Sequence, residues 1–182
     1  MLHPLSILYL TFLLTQLYAL TLHFPRPRAG LVHPRSFQLL KLCTGVAALA
    51  SWQPVLNLSP TAPLAATLPP SLCLLASEAL FAWTAHAARP GKLALIYGRV
   101  TPRYVVADGP FAYVRHPTYA SYWTGWLGVL AAAVVGARWP GYVLRAWLGP
   151  RVRAVVLATC LVELGWCYWA AAYLEEVQFW RA

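Results

Sequence analysis

The side chains with the most chemistry to offer lie in one polar stretch between two apolar runs. It ends Asp108-Gly109-Pro110-Phe111-Ala112-Tyr113-Val114-Arg115-His116-Pro117-Thr118-Tyr119. Asp108-Gly109-Pro110 is a turn signal, because Gly permits positive φ and Pro sets φ for the residue that carries it. Pro117 suits the first position of a helix, which puts His116 near the N-cap and Tyr119 one turn in. The free N–H groups and positive dipole end of such a helix receive an anionic group such as a carboxylate. The rival reading makes Arg115 and Tyr119 interface anchors and His116 a tolerated cap.

The remaining polar residues are sparse. Glu78 and Glu163 fall inside apolar runs, where a carboxylate is costly and is a functional candidate by default. Protonation, or pairing with a polar neighbour such as Thr84, Gln53 or Tyr168, is the structural alternative. His3, His23, His33 and His86 form no metal-ligand spacing. Cys43, Cys73, Cys160 and Cys167 lie in apolar stretches without a CxxC pair, as packing residues do. No metal is expected.

The elements that must position these groups follow from composition. Of 182 residues, 60% are hydrophobic and 10% charged, and the mean hydropathy is +0.57. Soluble domains carry about 25% charged residues, and disordered chains lack this wealth of Leu, Val, Trp and Tyr. The chain therefore reads as an all-α integral membrane bundle of about five transmembrane helices, one domain over residues 1–182. Spans are expected at about 4–22, 37–58, 64–88, 117–136 and 154–180, with Pro69-Pro70 breaking or kinking the third. The apolar piece from Trp139 to Leu148 is too short to span and is expected at the interface.

Net charge is +9, and the cations fall between apolar runs, a pattern of headgroup contact more than of nucleic-acid binding. Arg26, Arg28, Arg35, Arg89, Lys92, Arg99, Arg103, Arg115 and Arg181 share one side of a five-span topology. Arg138, Arg145, Arg151 and Arg153 share the other. The positive-inside rule then makes the motif loop and the C-terminus cytosolic.

The run Gly-Pro-Phe-x-Tyr-Val-Arg-His-Pro-Thr-Tyr, 109–119, resembles the signature of the isoprenylcysteine carboxyl methyltransferase family. Wider relatives include the membrane phospholipid methyltransferases. Tyr97-Gly98-Arg99 is similar to the segment that precedes the motif there, and the close match covers about 97–125. The resemblance implies a membrane enzyme, in the endoplasmic reticulum, that binds S-adenosylmethionine at its cytosolic face. Carried residue by residue, it implies cofactor contacts from Arg103, Tyr104, Val105, Val106, Phe111, His116, Pro117, Thr118 and Tyr119. Phe111 stands where the family usually has Tyr, and Arg103-Tyr104 where a His or Lys is common.

The family also places an Arg after the last span to hold the substrate carboxylate, followed by glutamates of which one contacts the cofactor. Arg181 matches that Arg. No acidic residue follows it in this chain, and Glu176, in Glu175-Glu176 before it, is the nearest substitute. The implied reaction is methylation of the C-terminal isoprenylcysteine carboxylate of prenylated proteins. Rings such as Phe111, Tyr113 and Tyr119 suit a sulfonium, at about 0.5–2 kcal/mol each. A carboxylate is already ionised near neutral pH and needs no general base. Two alternatives stay open: a phospholipid amine methyltransferase, and a truncated, non-catalytic membrane paralogue.

Overall fold

His3 opens the first helix in an unusual way for an N-cap. Its backbone is extended (φ −66°, ψ 143°), and its Nδ1 accepts the Leu5 N–H at 3.1 Å, with Pro4 in the first turn. The structure, a computed structural model, describes residues 2–19, 34–88 and 107–137. Nearer the C-terminus it describes 158, 161–162, 164–166, 168–174 and 176–177. All regular structure among the described residues is helical. The elements are α1 (Pro4–Tyr18), α2 (Pro34–Leu56), α3 (Leu64–Ala88), a 3₁₀ turn (Gly109–Ala112), α4 (Pro117–Ala137) and a helical segment within 158–177. Pro69 and Pro70 sit in the second turn of α3, and the helix continues through them.

Among the described residues, α3 alone is long and apolar enough to cross a membrane, and just 28% of its apolar window is buried. At 1.5 Å per residue its 25 residues reach about 37 Å. Leu64, Leu68, Leu72 and Leu75 point their apolar surface outward. The other helices fall short for definable reasons. α1 has 15 residues, α2 carries Arg35, Gln38 and Lys41, and α4 opens with Tyr, Ser, Trp, Thr and Gly before its Ala- and Val-rich second half.

α4 can be so mixed because protein surrounds it. It packs most extensively on α3 and also touches α1 and α2. Its small residues allow the approach, as in membrane helix pairs generally. A Cβ on Gly125 would meet the Phe12 ring and the Ser77 hydroxyl, one on Gly128 would lie 2.9 Å from Cys73 Cβ, and one on Gly136 would strike the Pro54 carbonyl. Ser77 and Ser121 then exchange hydrogen bonds, each hydroxyl donating to the other's carbonyl at 2.8 and 3.0 Å. Each satisfies its hydroxyl and ties α3 to α4 at one register.

α1 is tied to α2 by similar means. Tyr9 Oη donates to Ala48 O at 3.0 Å and lies 2.9 Å from Ser51 Oγ, and Ser6 Oγ donates to Val55 O at 2.6 Å. The C-terminal segment buries Leu161, Leu164, Tyr168 and Ala171, spaced as one face of a helix, and turns Trp166, Trp169 and Tyr173 outward. Cys43 and Cys73 are free thiols.

Candidate functional site

The turn signal at Asp108-Gly109-Pro110 becomes a 3₁₀ turn seated on the end of α3. Gly109 has φ +61°, and a Cβ there would also lie 3.0 Å from Ala87 Cβ and 3.2 Å from Trp83 Nε1. Gly is therefore required twice over, for backbone sign and for contact. Phe111 N–H donates to Asp108 O at 3.3 Å, and Val114 N–H closes the turn onto Pro110 O at 2.9 Å. This fold-back delivers Arg115 and His116 to the start of α4.

His116 O accepts from Ala120 N–H at 3.1 Å, so His116 is the N-cap residue and Pro117 the first helical one. Pro117 and Thr118 are buried beneath the mouth, while Phe111 is half-buried in the 3₁₀ turn. His116 and Tyr119 stack with centroids 5.5 Å apart and planes 7° apart, as their i, i+3 spacing on one face allows.

The C-terminal segment completes the cluster. Glu176 Oε1 lies 3.1 Å from an Arg115 guanidinium nitrogen and 3.6 Å from His116 Nε2. About two helical turns earlier, Tyr168 stacks on Tyr119 at 5.8 Å and 17°, and leans on Tyr122 at 6.0 Å. Tyr122 in turn stacks on Phe81 of α3 at 5.9 Å. A column of rings thus descends from the polar mouth into the bundle.

Glu176 sits at the rim, its side chain 37% exposed, beside an Arg115 side chain that is 72% exposed. The Arg115 hydrogen bond, ahead of the smaller opposing effect of burial, holds the Glu176 carboxyl below its usual range. The charges of Arg115 and of a protonated His116 act in the same direction. The place at the α4 N-terminus that suits an anion is thus approached by the chain's own carboxylate. A ligand entering here meets an acceptor, Glu176, and a donor, Arg115, side by side. That pairing matches a group bearing both an ammonium and a carboxylate.

Of the residues singled out from the sequence, the fold gathers His116, Pro117, Thr118, Tyr119 and Glu176 at one mouth, with Phe111 in the turn leading to it. Arg103, Tyr104, Val105, Val106 and Arg181 lie outside the described residues, as do Glu163 and the 139–153 segment. Glu78 does pair with a polar neighbour, though not with Thr84. It receives the Thr15 hydroxyl at 2.7 Å, whereas Thr84 bonds back to Leu80 O in its own helix. Tyr168 and Tyr122 were missed as site residues. Tyr122 follows Tyr119 by one turn, and Tyr168 repeats in phase with Leu161, Leu164 and Ala171, so helical phase was the signal available. Among the described residues, no group of His, Cys, Asp or Glu side chains is arranged to hold a metal ion. Comparison with protein families, with curated proteins and with solved structures returns no match.

Proposed function

We propose that this chain is an integral membrane methyltransferase that uses S-adenosylmethionine to esterify the C-terminal isoprenylcysteine carboxylate of prenylated proteins. The proposal includes a bundle of about five spans in the endoplasmic reticulum membrane, with the motif loop and C-terminus cytosolic. One observation carries it: the Arg115-His116-Pro117-Thr118-Tyr119 motif meets Glu176 and Tyr168 at a single mouth. The donor set suits the cofactor's chemistry. Glu176 can accept from an ammonium, and Arg115 with the first N–H groups of α4 can hold a carboxylate. The rings of Tyr119 and Tyr168 supply aromatic faces for a cation.

S-adenosylmethionine, when bound, supplies an electrophilic methyl group. The chain's own task is then to orient two reactants in line and exclude water, because an ionised carboxylate needs no base. Arg181 is proposed to hold the acceptor carboxylate, and Arg103, Tyr104, Val105 and Val106 to complete the cofactor contacts.

The test is S-adenosylmethionine binding by the purified chain in detergent, with His116→Ala and Tyr119→Ala as variants. Saturable binding by the parent chain, weakened at least about tenfold in each variant, is the expected result. Equal binding by parent and variants would refute the site. A farnesylcysteine acceptor should then yield a base-labile methyl ester. A rate that rises steeply with pH on an amine acceptor instead would move the reading to a phospholipid amine methyltransferase.

A further inference from the structure

Six glycines fall among the described residues, and five of them are explained by a turn or a close approach. Gly109 has positive φ, and Gly125, Gly128 and Gly136 each admit a neighbouring helix. A Cβ on Gly165 would lie 3.0 Å from the Trp123 ring. Gly45 differs. It stands in the middle of α2 on an exposed face, and a Cβ there would meet nothing within 4 Å. Gly inside a helix destabilises it relative to Ala, so the chain keeps a costly residue whose room it does not itself use.

The residues around this notch have a pattern of their own. Gln38, Leu42, Gly45, Leu49 and Trp52 follow one another at spacings of four, three, four and three. That alternation is the heptad pattern of two helices packed along a seam. Gln38 is exposed, and Leu42, Leu49 and Trp52 are 63%, 80% and 49% exposed. By helical phase the stripe lies opposite Phe37, Leu40, Ala47, Ser51 and Val55, the face that α2 buries in the bundle. Lys41, beside the stripe, leans away from it, with Nζ 4.6 Å over the ring of buried Phe37. From Gln38 to Trp52 the stripe runs about 21 Å along the helix.

Fluid lipid chains fit any apolar surface and need neither the spacing nor the notch, whereas a second helix needs both. The stripe is also complementary to itself. A side-chain amide both donates and accepts, so two copies of Gln38 can satisfy each other. Gly45, at the centre, lets two backbones approach, with Leu42 and Leu49 packing on either side of the contact. We propose that α2 pairs with α2 of a second copy of this chain, across a two-fold axis that sets Gly45 against Gly45. The pairing rests on the membrane placement proposed above, which orients both copies alike, and on nothing of the methyltransferase chemistry.

The experiment is energy transfer between donor- and acceptor-labelled copies of the full chain in phosphatidylcholine liposomes, with the protein-to-lipid ratio varied. The parent should show transfer that saturates as a dimer does. Gly45→Leu should weaken association at least about tenfold. Its thermal unfolding should stay at or above the parent's, because the new side chain starts in open space within its own chain. Leu49→Ala should weaken association in the same direction, and Leu72→Ala, on the outward face of α3, should leave it unchanged. Transfer in the parent no greater than random mixing overturns the proposal. Undiminished association in Gly45→Leu, or an equal loss in Leu72→Ala, does the same. If Gly45→Leu does not fold, Leu49→Ala decides, and undiminished association there rejects the seam. A chain that does not float with the liposomes overturns the membrane placement and the parallel seam together.

Discussion

Glu176 and Glu78 are the same side chain in opposite settings. At the mouth, Glu176 has a guanidinium at 3.1 Å and an imidazole at 3.6 Å, and its side chain remains 37% exposed. In the bundle, Glu78 has one hydroxyl at 2.7 Å and one oxygen with no partner. The better-paired carboxylate matters less for stability, because water and salt already serve it. The poorly paired one has few substitutes, and the residues around it are packed too closely to rearrange. The mouth is accordingly the region a ligand can open by exchanging partners. The bundle interior is the region that holds the mouth in place.

That contrast is broken most directly at Trp126. Trp126→Ala removes the largest fully buried side chain among the described residues and its contact with Phe12, and should cost about 3–5 kcal/mol. Thermal unfolding in detergent measures it, and a loss below about 1 kcal/mol would mean the interior is no more rigid than the mouth. Gly136→Ala comes next, at about 1–3 kcal/mol. Its Cβ meets the Pro54 carbonyl, which is backbone and cannot rotate away as a side chain would. A stability equal to the parent's would show that α2 and α4 can slide past one another.

The smallest stability effect is expected at Glu176, yet it sharpens the comparison most. Glu176→Gln should leave the unfolding temperature unchanged within error while weakening S-adenosylmethionine binding. The sign of its pH dependence follows from the carboxyl being held below its usual range by Arg115. A lowered folded-state value contributes stability above the unfolded-state value and loses it as pH falls through the folded one. The contact between the C-terminal segment and α4 should therefore loosen on acidification below the usual carboxylate range, and not in Glu176→Gln. Hydrogen exchange at the α4 N-terminus reads this out. About 1 M salt should abolish the difference, since an exposed pair is screened.

The local features of the mouth were legible because they are written in contiguous residues. Gly109 needs positive φ whatever surrounds it, Pro117 at a helix start makes the preceding residue the cap, and three-residue spacing puts His116 and Tyr119 on one face. The all-helical character and the apolar run of α3 follow as directly from composition and period. What chain order could not reveal is which helices adjoin. Glu176 reaches Arg115 from 61 positions away, and Thr15 reaches Glu78 from 63. Both pairings depend on helix phase and neighbour order, which no window of local sequence encodes. Sequence alone thus determined the helical character, the cap, the turn and the apolar run of α3, because each is set by a residue's own conformational preference and immediate neighbours. Tertiary structure decided that one carboxyl would be paired at the rim and another left short of partners in the bundle. Small residues on α4 let the helices approach closely, and that approach chose which side chains would meet.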